Sequence, residues 1–237
     1  MNLDPAGLRA PRRAIRTVSA QRAFNWYRDA MRLWKRGPAR FSLIALVVLV
    51  ANFGLTLLPV VGIVLAQLIL PLVECGLLYA SLAADRGDRP RLRHLIAVAA
   101  APPRAQAAVI IAALIVFAVE ALVANAIGGF NLLAPSSNAD SISGVTLVVT
   151  YAAGIVVSLP LTFVPFAALF DGEDFRNAFA QSGAAFARNT GPLFVYGLVS
   201  FLLLLMGLAT SGIGLLLALP WSAAASYAAW KDLFGVA

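Results

Sequence analysis

Long uncharged stretches alternate with short basic stretches along the chain. Between positions 41 and 83 the only charged residue is Glu74, and the sequence LPVVG at 58–62 divides this stretch in two. A membrane-spanning helix needs about 20 apolar residues, because each residue advances roughly 1.5 Å through a hydrocarbon core about 30 Å thick. The pattern therefore predicts two crossings, at 41–58 and 63–83.

Four further apolar segments predict crossings at 104–126, 145–170, 193–210 and 214–230. The segment 145–170 is longer than one crossing needs, and Pro160 and Pro165 each remove a backbone donor from it, so we expect a kink or a tilt. We therefore predict an all-α fold, a polytopic membrane bundle of six transmembrane helices. It forms a single domain over 19–237, preceded by a basic cytoplasmic arm at 1–18.

All 18 Lys and Arg residues fall on one side of this six-span scheme. They lie in 1–40, 84–104 and 171–191 and at Lys231. The connections 58–62, 127–144 and 210–214 contain none. Because basic residues stay on the cytoplasmic side of a membrane, both termini are predicted to be cytoplasmic. The first and last hairpins have short apolar tips, so re-entrant pairs that stop inside the bilayer are an alternative to full crossings.

Amphipathic segments precede spans 1, 3 and 5, and we interpret them as helices at the membrane interface. The first is predicted to begin with a cap at Ser19 and to end at a left-handed Gly37. The second has a short apolar stripe made of Leu92, Leu95, Ile96 and Ala99. The third has a stripe made of Phe175, Ala178, Phe179, Ser182 and Phe186.

Aromatic and basic residues are expected to anchor the chain at lipid head groups, since Trp favours membrane interfaces and Lys and Arg pair with anionic lipids. The predicted anchors are Trp26, Arg28, Arg32, Trp34, Lys35, Arg36, Trp230 and Lys231. Surface helices that only orient the bundle are the plainer interpretation. Lipid-sensing or partner-binding helices are the alternative.

The first and last hairpins resemble each other in sequence. Pro71 and Pro220 lie 149 positions apart, and Tyr79 and Tyr227 lie 148 apart. Both hairpins start from the same side, which would make them parallel repeats. Chance similarity between two apolar hairpins is the alternative.

Composition narrows the class of protein. Hydrophobic residues make up 61% of the 237 positions and the mean hydropathy is +0.85, which is typical of an integral membrane protein. The net charge of +7 lies on one side, and no basic run is interleaved with aromatics, so no nucleic-acid partner is predicted. Cys75 and His94 are each the only residue of their type, which excludes an intrachain disulfide and a four-ligand zinc site; we predict no metal and no cofactor.

Two carboxylates lie inside the predicted spans. Glu74 is near the middle of the second span, and Glu120 is close to the outer end of the third. Placing an ionisable group in a membrane costs at least about 2.5–3.5 kcal/mol, so such groups usually face the bundle interior or a wet cavity. Two roles are consistent with this position. The glutamates are either protonated, neutral acids that only stabilise helix packing, or a relay for protons or cations. The other polar candidates within the spans are Asn52, Gln67 and Asn125.

The run VPFAALFDGEDFRNAFAQSGAAFARNTGPLFVYG and the opening helix AFNWYRDAMRLWKRGPARF resemble a family of uncharacterised six-span proteobacterial inner-membrane proteins. They are more distantly similar to the YciC-like proteins and to the membrane domain of some glycerophosphodiester phosphodiesterases. The resemblance implies a bacterial inner-membrane location and the six-helix layout. It implies no catalytic residue.

No catalytic motif is present in the sequence, neither a phosphate-binding glycine loop nor a nucleophile elbow, so we predict no catalytic residues and no enzyme activity. The leading hypothesis is a non-enzymatic membrane protein that organises lipid or a partner membrane protein, with homo-oligomerisation as a further option. The alternative is a small transporter or channel that uses Glu74 and Glu120. An integral lipid-modifying enzyme is the second alternative.

Overall fold

The computed structural model describes residues 14–58, 60–133 and 143–236. Within these ranges the chain is helical and has no β-strand, which confirms the all-α prediction. Most of the predicted basic arm, 1–13, and the middle of the predicted outer loop, 134–142, lie outside the described residues.

Nine α-helices and two 3-10 helices follow one another in the described chain. The α-helices are α1 (Arg22–Lys35), α2 (Pro38–Thr56), α3 (Val61–Asp85), α4 (Pro103–Gly128), α5 (Gly144–Ser158), α6 (Val164–Leu169), α7 (Phe175–Arg188), α8 (Thr190–Ala209) and α9 (Leu215–Phe234). The 3-10 helices are Leu92–Ala100, between α3 and α4, and Leu159–Leu161, between α5 and α6.

Five segments are long and apolar enough to cross a membrane. They are Pro38–Thr56, Val61–Asp85, Pro103–Gly128, Gly144–Leu169 and Thr190–Ala209. Each agrees with a predicted span to within a few residues, because apolar length alone defines such a helix.

Helix α9, the sixth predicted span, is not among these five segments. Alanine, serine and tyrosine replace leucine over much of its length, and it ends with Lys231 and Asp232. More than half of its residues are buried, among them Ala224, Ala225 and Tyr227. It packs against α1, α2, α3 and α8, so its surroundings are protein rather than lipid. A helix enclosed by other helices favours small residues that allow close packing, and this lowers its hydropathy.

The long helices form a closed ring of neighbours. In order around the ring, α3 contacts α4, α4 contacts α5, α5 contacts α8, α8 contacts α9, and α9 contacts α3. Helix α2 packs outside this ring against α3 and α9. We call the end of the bundle where α2 begins and α3 and α9 end the basic end, because every described Lys and Arg lies in or beside it.

The segment between α5 and α6 departs from α-helical geometry, as the prolines predict. Ser182 of α7 satisfies the backbone there: its hydroxyl accepts from the Phe163 amide at 3.0 Å and donates to the Pro160 carbonyl at 2.7 Å. Ser182 is fully buried. Helix α7 therefore holds the break in place.

Three details of the predicted amphipathic segments are wrong. Helix α1 begins after Gln21 with no side-chain cap, so Ser19 does not cap it. Gly37 is extended (φ −174°) rather than left-handed; it is instead packed against Pro90, 3.3 Å from where its β-carbon would lie. The segment before span 3 is a 3-10 helix.

The 3-10 geometry also changes which residues of that segment are buried. Leu95 and Val98 are buried, whereas Leu92 and Ile96 are exposed. Three residues per turn place Leu95 and Val98 on one face and turn Ile96 away from it, whereas an α-helix would group positions i, i+3 and i+4. Leu92, the first residue of this helix, has the same register but is exposed. Gly76 of α3 allows the close approach, since a β-carbon there would lie 2.7 Å from the Leu95 α-carbon.

Candidate functional site: a cavity around Glu74

One face of α3 and one face of α4 form the walls of two adjoining cavities. The α3 residues are Ile63, Ala66, Gln67, Leu70, Pro71, Glu74, Cys75 and Leu78. The α4 residues are Val109, Ala112, Ala113, Val116, Phe117 and Glu120. Both sets recur every three or four positions, so each is a single helical face.

The inner cavity has a volume of about 310 Å³ and lies on the side of Glu74 nearer the basic end. Every helix of the ring contributes to its wall, including Thr162 and Phe166 from the α5–α6 segment, Tyr196 from α8 and Ser226 from α9. Tyr196 is six residues from the start of α8, or about 9 Å from the basic end. The cavity therefore reaches from mid-bundle toward the basic end.

The outer cavity has a volume of about 350 Å³ and lies between α2, α3 and α4. Asn52 and Thr56, near the end of α2, and Ile63, near the start of α3, line it. These residues are at the opposite end of the bundle from the basic end. Glu120 and Gln67 also face this cavity.

Glu74 lines both cavities. Only Pro71, Ala113 and Val116 share this property with it. The Glu74 residue is exposed, and none of the described residues donates a hydrogen bond to it. Among the described lining residues of either cavity none is basic, so a charge on Glu74 has no cationic side chain to pair with.

Glu120 is placed differently from Glu74. Its carboxylate rests against Gly154 of α5, where a β-carbon would overlap the Glu120 side chain. Glu120 is half-buried and faces only the outer cavity. The absence of a side chain at Gly154 thus creates the recess that accommodates it.

The structure brings together four of the five predicted polar residues. Glu74, Glu120, Asn52 and Gln67 line the two cavities, whereas Asn125 is exposed near the end of α4 and lines neither. Tyr196 and Ser226 also line the inner cavity but are not among the predicted site residues. A Tyr or Ser in an apolar run gives no local signal of this kind, because what it faces depends on helix packing.

Two of the predicted lipid anchors lie inside the protein. Trp26 is 1% exposed and donates to the Asp232 carboxylate at 2.9 Å. Trp230 is 4% exposed and stacks on Phe166, with ring centroids 5.3 Å apart. These indoles connect helices to each other rather than to head groups, which corrects the prediction for both.

The other predicted anchors divide into two groups. Arg28, Arg32 and Lys35 are exposed on α1, and Trp34 is partly exposed. Arg36 donates to the Ala84 and Asp85 carbonyls, and Lys231 pairs with Asp85 at 2.6 Å. The second group therefore binds the ends of α3 and α9 together.

No family model matches the chain, and no curated protein or solved structure matches it. The resemblance to six-span inner-membrane proteins stays a prediction. The functional argument therefore rests on the site alone.

Proposed function

We propose that this protein is a small membrane transporter that binds a monovalent organic cation at Glu74. The observation that carries the proposal is that Glu74 lines both the inner and the outer cavity. A transporter needs one binding group near the middle of the membrane that can be reached from each side in turn. Glu74 would be such a group, because it lies near the middle of α3 and lines both cavities.

The lining favours an organic cation over a metal ion. Ca²⁺ takes six to eight oxygen ligands, and Mg²⁺ takes six in octahedral geometry. The inner cavity offers a single carboxylate among mainly apolar side chains. Phe166 and Tyr196 add aromatic rings, which attract organic cations. The two volumes lie at the lower end of the range for small-molecule sites, which is about 300–1,000 Å³.

The broken segment between α5 and α6 supports the same proposal. Irregular backbone at membrane depth is tolerated where it is buried in protein or lines a cavity. Ser158, Thr162 and Pro165 from this segment line the inner cavity. Because Ser182 satisfies the freed backbone groups, the break can persist beside an apolar ligand.

The membrane arrangement that we propose has six crossings, with α9 as the sixth. The five long apolar segments alternate in direction, and α9 returns the chain to the basic end. By the positive-inside rule, the basic end is cytoplasmic and carries α1 and α7 as interfacial helices. The proposed location is the inner membrane of a bacterium, as the family resemblance implies.

Binding of three permanent cations tests the proposal: ethidium, tetraphenylphosphonium and benzyltrimethylammonium. We expect purified protein in detergent to bind at least one of them, and Glu74→Gln to weaken this binding at least about tenfold, the effect of losing one charge pair of about 1.4 kcal/mol. Glu173→Gln is the matched control, because Glu173 lies at the basic end and lines neither cavity. Its affinity should equal that of the parent.

Transport of the bound cation is then measured in vesicles reconstituted with the protein. We expect saturable uptake by the parent and by Glu173→Gln, and none above empty vesicles for Glu74→Gln. If none of the three cations shows binding that depends on Glu74, the proposal is wrong.

A lipid-organising role is the second candidate, and the exposed face of α1 favours it. Phe24 is 54% exposed and lies on the same helix as the exposed Arg28, Arg32 and Lys35. Apolar and basic side chains combined in this way bind anionic membrane surfaces. Replacing the exposed Arg28 and Lys35 by Gln should lower the amount of phosphatidylglycerol that co-purifies. Replacing Arg89 and Arg93 is the charge-matched control.

A further inference from the structure

A third cavity, of about 490 Å³, lies at the basic end and is separate from the two cavities around Glu74. Its walls come from α1, the end of α3, the end of α9 and the segment before α1. The charged residues that line it are Arg16, Arg22, Arg32, Arg36, Lys231, Asp29, Asp85 and Asp232. We call it the basic-end pocket.

Each carboxylate of the basic-end pocket already has a cationic partner. Asp232 accepts from Arg22 at 2.7 Å, Asp85 accepts from Lys231 at 2.6 Å, and Asp29 pairs with Arg32 at 2.7 Å. The Tyr227 hydroxyl adds a donor to Asp85 at 2.9 Å. The negative charges in this pocket are therefore neutralised locally.

Two guanidinium groups, Arg16 and Arg36, remain without a carboxylate among the described residues. Arg36 donates to the carbonyls of Ala84 and Asp85 at the end of α3, which uses only part of its five donors. The Arg16 amide donates to the Leu233 carbonyl at 2.8 Å, which fixes its backbone beside α9. The Arg16 guanidinium lies next to Gly235, 3.0 Å from where a β-carbon would be.

The described residues of the pocket thus have a surplus of two positive charges, five cations against three carboxylates. This positive charge affects the Asp232 carboxyl. Partial burial alone would raise its pKa. The hydrogen bonds from Arg22 and Trp26 and the charges of Arg22 and Arg16 outweigh burial, so the pKa lies below its ordinary value. The same positive charge favours a bound anion.

We propose that the basic-end pocket binds a phosphate group, carried by an anionic lipid head group or by a small phosphate ester. A phosphate monoester carries a charge of about −1.5 to −2 at neutral pH and the phosphodiester of a lipid head group carries a single negative charge, so the surplus attracts either. Guanidinium groups bind phosphate through paired hydrogen bonds. Backbone carbonyls hold the Arg36 guanidinium, and the backbone of Arg16 is fixed beside α9. The end of a membrane bundle is also the depth at which lipid head groups lie.

Native mass spectrometry of the full chain in detergent tests the proposal with two lipids of equal chain length, phosphatidylglycerol and phosphatidylcholine. We expect the parent to retain one phosphatidylglycerol in preference to phosphatidylcholine. Arg16→Gln should weaken this retention about tenfold, as expected for the loss of one charge-assisted contact. It should leave the fold intact, because the Arg16 side chain makes no hydrogen bond to the described residues.

The double substitution Arg89→Gln with Arg93→Gln is the control. These two exposed cations lie at the same end of the bundle but line no part of the pocket. We expect their replacement to change retention by less than about twofold, even though it removes more charge than Arg16→Gln. An equal loss in the control, or binding of neither phosphatidylglycerol nor sn-glycerol 3-phosphate by the parent, would overturn the proposal.

Competition with sn-glycerol 3-phosphate separates the two sources of the phosphate. Displacement of the lipid by millimolar glycerol phosphate, abolished by Arg16→Gln, supports recognition of the phosphate ester itself. Retention of the lipid without displacement supports a head-group site that also needs the acyl chains. Binding of neither molecule by the parent contradicts both.

Discussion

Two triplets of helices in this protein have the same order but different interiors. The first triplet, α1–α3, and the last, α7–α9, each consist of a 14-residue helix, a long apolar helix and a returning helix with an internal proline. The prolines are Pro71 and Pro220, 149 positions apart. Three residues after each proline comes a residue that lines the inner cavity: Glu74 in α3 and Ala223 in α9.

The difference between these equivalent positions is one carboxylate. Both residues line the same cavity, and only Glu74 carries a charge. Helices in the same order thus form two sides of the wall, and the carboxylate is on one side only. The leading helices differ as well: α1 buries Trp26 and Tyr27, whereas α7 buries Ala178, Ser182 and Ala185.

The largest expected effect concerns the tyrosines that follow the proline in each returning helix, Tyr79 in α3 and Tyr227 in α9. Tyr227 is 1% exposed and donates to Asp85, while Tyr79 is partly exposed and has an edge contact with Phe170 at 5.0 Å. We expect Tyr227→Ala to lower the free energy of unfolding by about 3–5 kcal/mol, the cost of truncating a large buried side chain. Tyr79→Ala should cost less than half as much. Equal losses in SDS titrations of the two variants would show that the triplets are packed alike.

Ser182→Ala should have the next largest effect. It leaves the Phe163 amide and the Pro160 carbonyl without partners, which costs about 1–3 kcal/mol for each unsatisfied buried group. Ser81 of α3 is the matched control: it is equally buried, but its hydroxyl only donates to the Leu77 carbonyl of its own helix. Ser81→Ala is expected to change the unfolding free energy by about 0.5 kcal/mol or less. The same unfolding titration compares the two.

Moving the carboxylate from one triplet to the other tests whether position or mere presence decides binding. Glu74→Ala alone should abolish binding of the organic cations. Adding Ala223→Glu returns a carboxylate to the inner cavity but not to the outer one. We expect partial recovery, to an affinity between those of Glu74→Ala and the parent, without vesicle uptake. Full recovery of uptake would mean that access from both cavities is unimportant.

The smallest expected effect is a pH dependence of the contact between α1 and α9. Because the Asp232 pKa is lowered in the folded protein, its contribution to stability is fully present above its unfolded pKa of about 4 and is lost as pH falls below that value. Arg22 is 48% exposed on its side chain, so solvent limits the effect to about 1 kcal/mol or less. Thermal unfolding between pH 3 and pH 6 should therefore differ between the parent and Asp232→Asn.

A contact without a titrating group provides the internal reference for this measurement. At the junction of α7 and α8, Asn189 accepts from the Val18 amide at 2.9 Å and donates to the Arg16 carbonyl at 3.0 Å. Both contacts join a side-chain amide to the backbone, so neither titrates in this range. Asn189→Ala should therefore lower stability by the same amount at every pH between 3 and 6. A loss that depends on pH would show that groups other than Asp232 titrate there.

The helical segments could be predicted because apolar length is a local property. Spans 41–58 and 104–126, for example, differ from α2 and α4 by three residues or fewer at either end. The conformation of Gly37 and the 3-10 geometry of Leu92–Ala100 could not be predicted, because both depend on contacts with other parts of the chain. Gly37 packs against Pro90, and Leu95 packs against Gly76.

The candidate site was only partly predictable for the same reason. An unusual residue type in an apolar run, such as Glu74 or Gln67, is visible in the sequence. Whether such a residue faces a cavity is not visible in the sequence. Asn125 is also a polar residue in an apolar run, but it lines neither cavity. Trp26 and Trp230 resemble interface anchors by residue type, yet α1, α6 and α9 enclose them.

Hydropathy and charge are properties of single residues in order along the chain, so they were enough to locate the apolar helices and the basic segments between them. Helix packing determined that α9 lies among other helices, that Glu74 lines two cavities, and that Arg16 and Arg36 line one pocket. Those properties depend on side chains up to about 200 positions apart, and their proximity follows from how the helices pack.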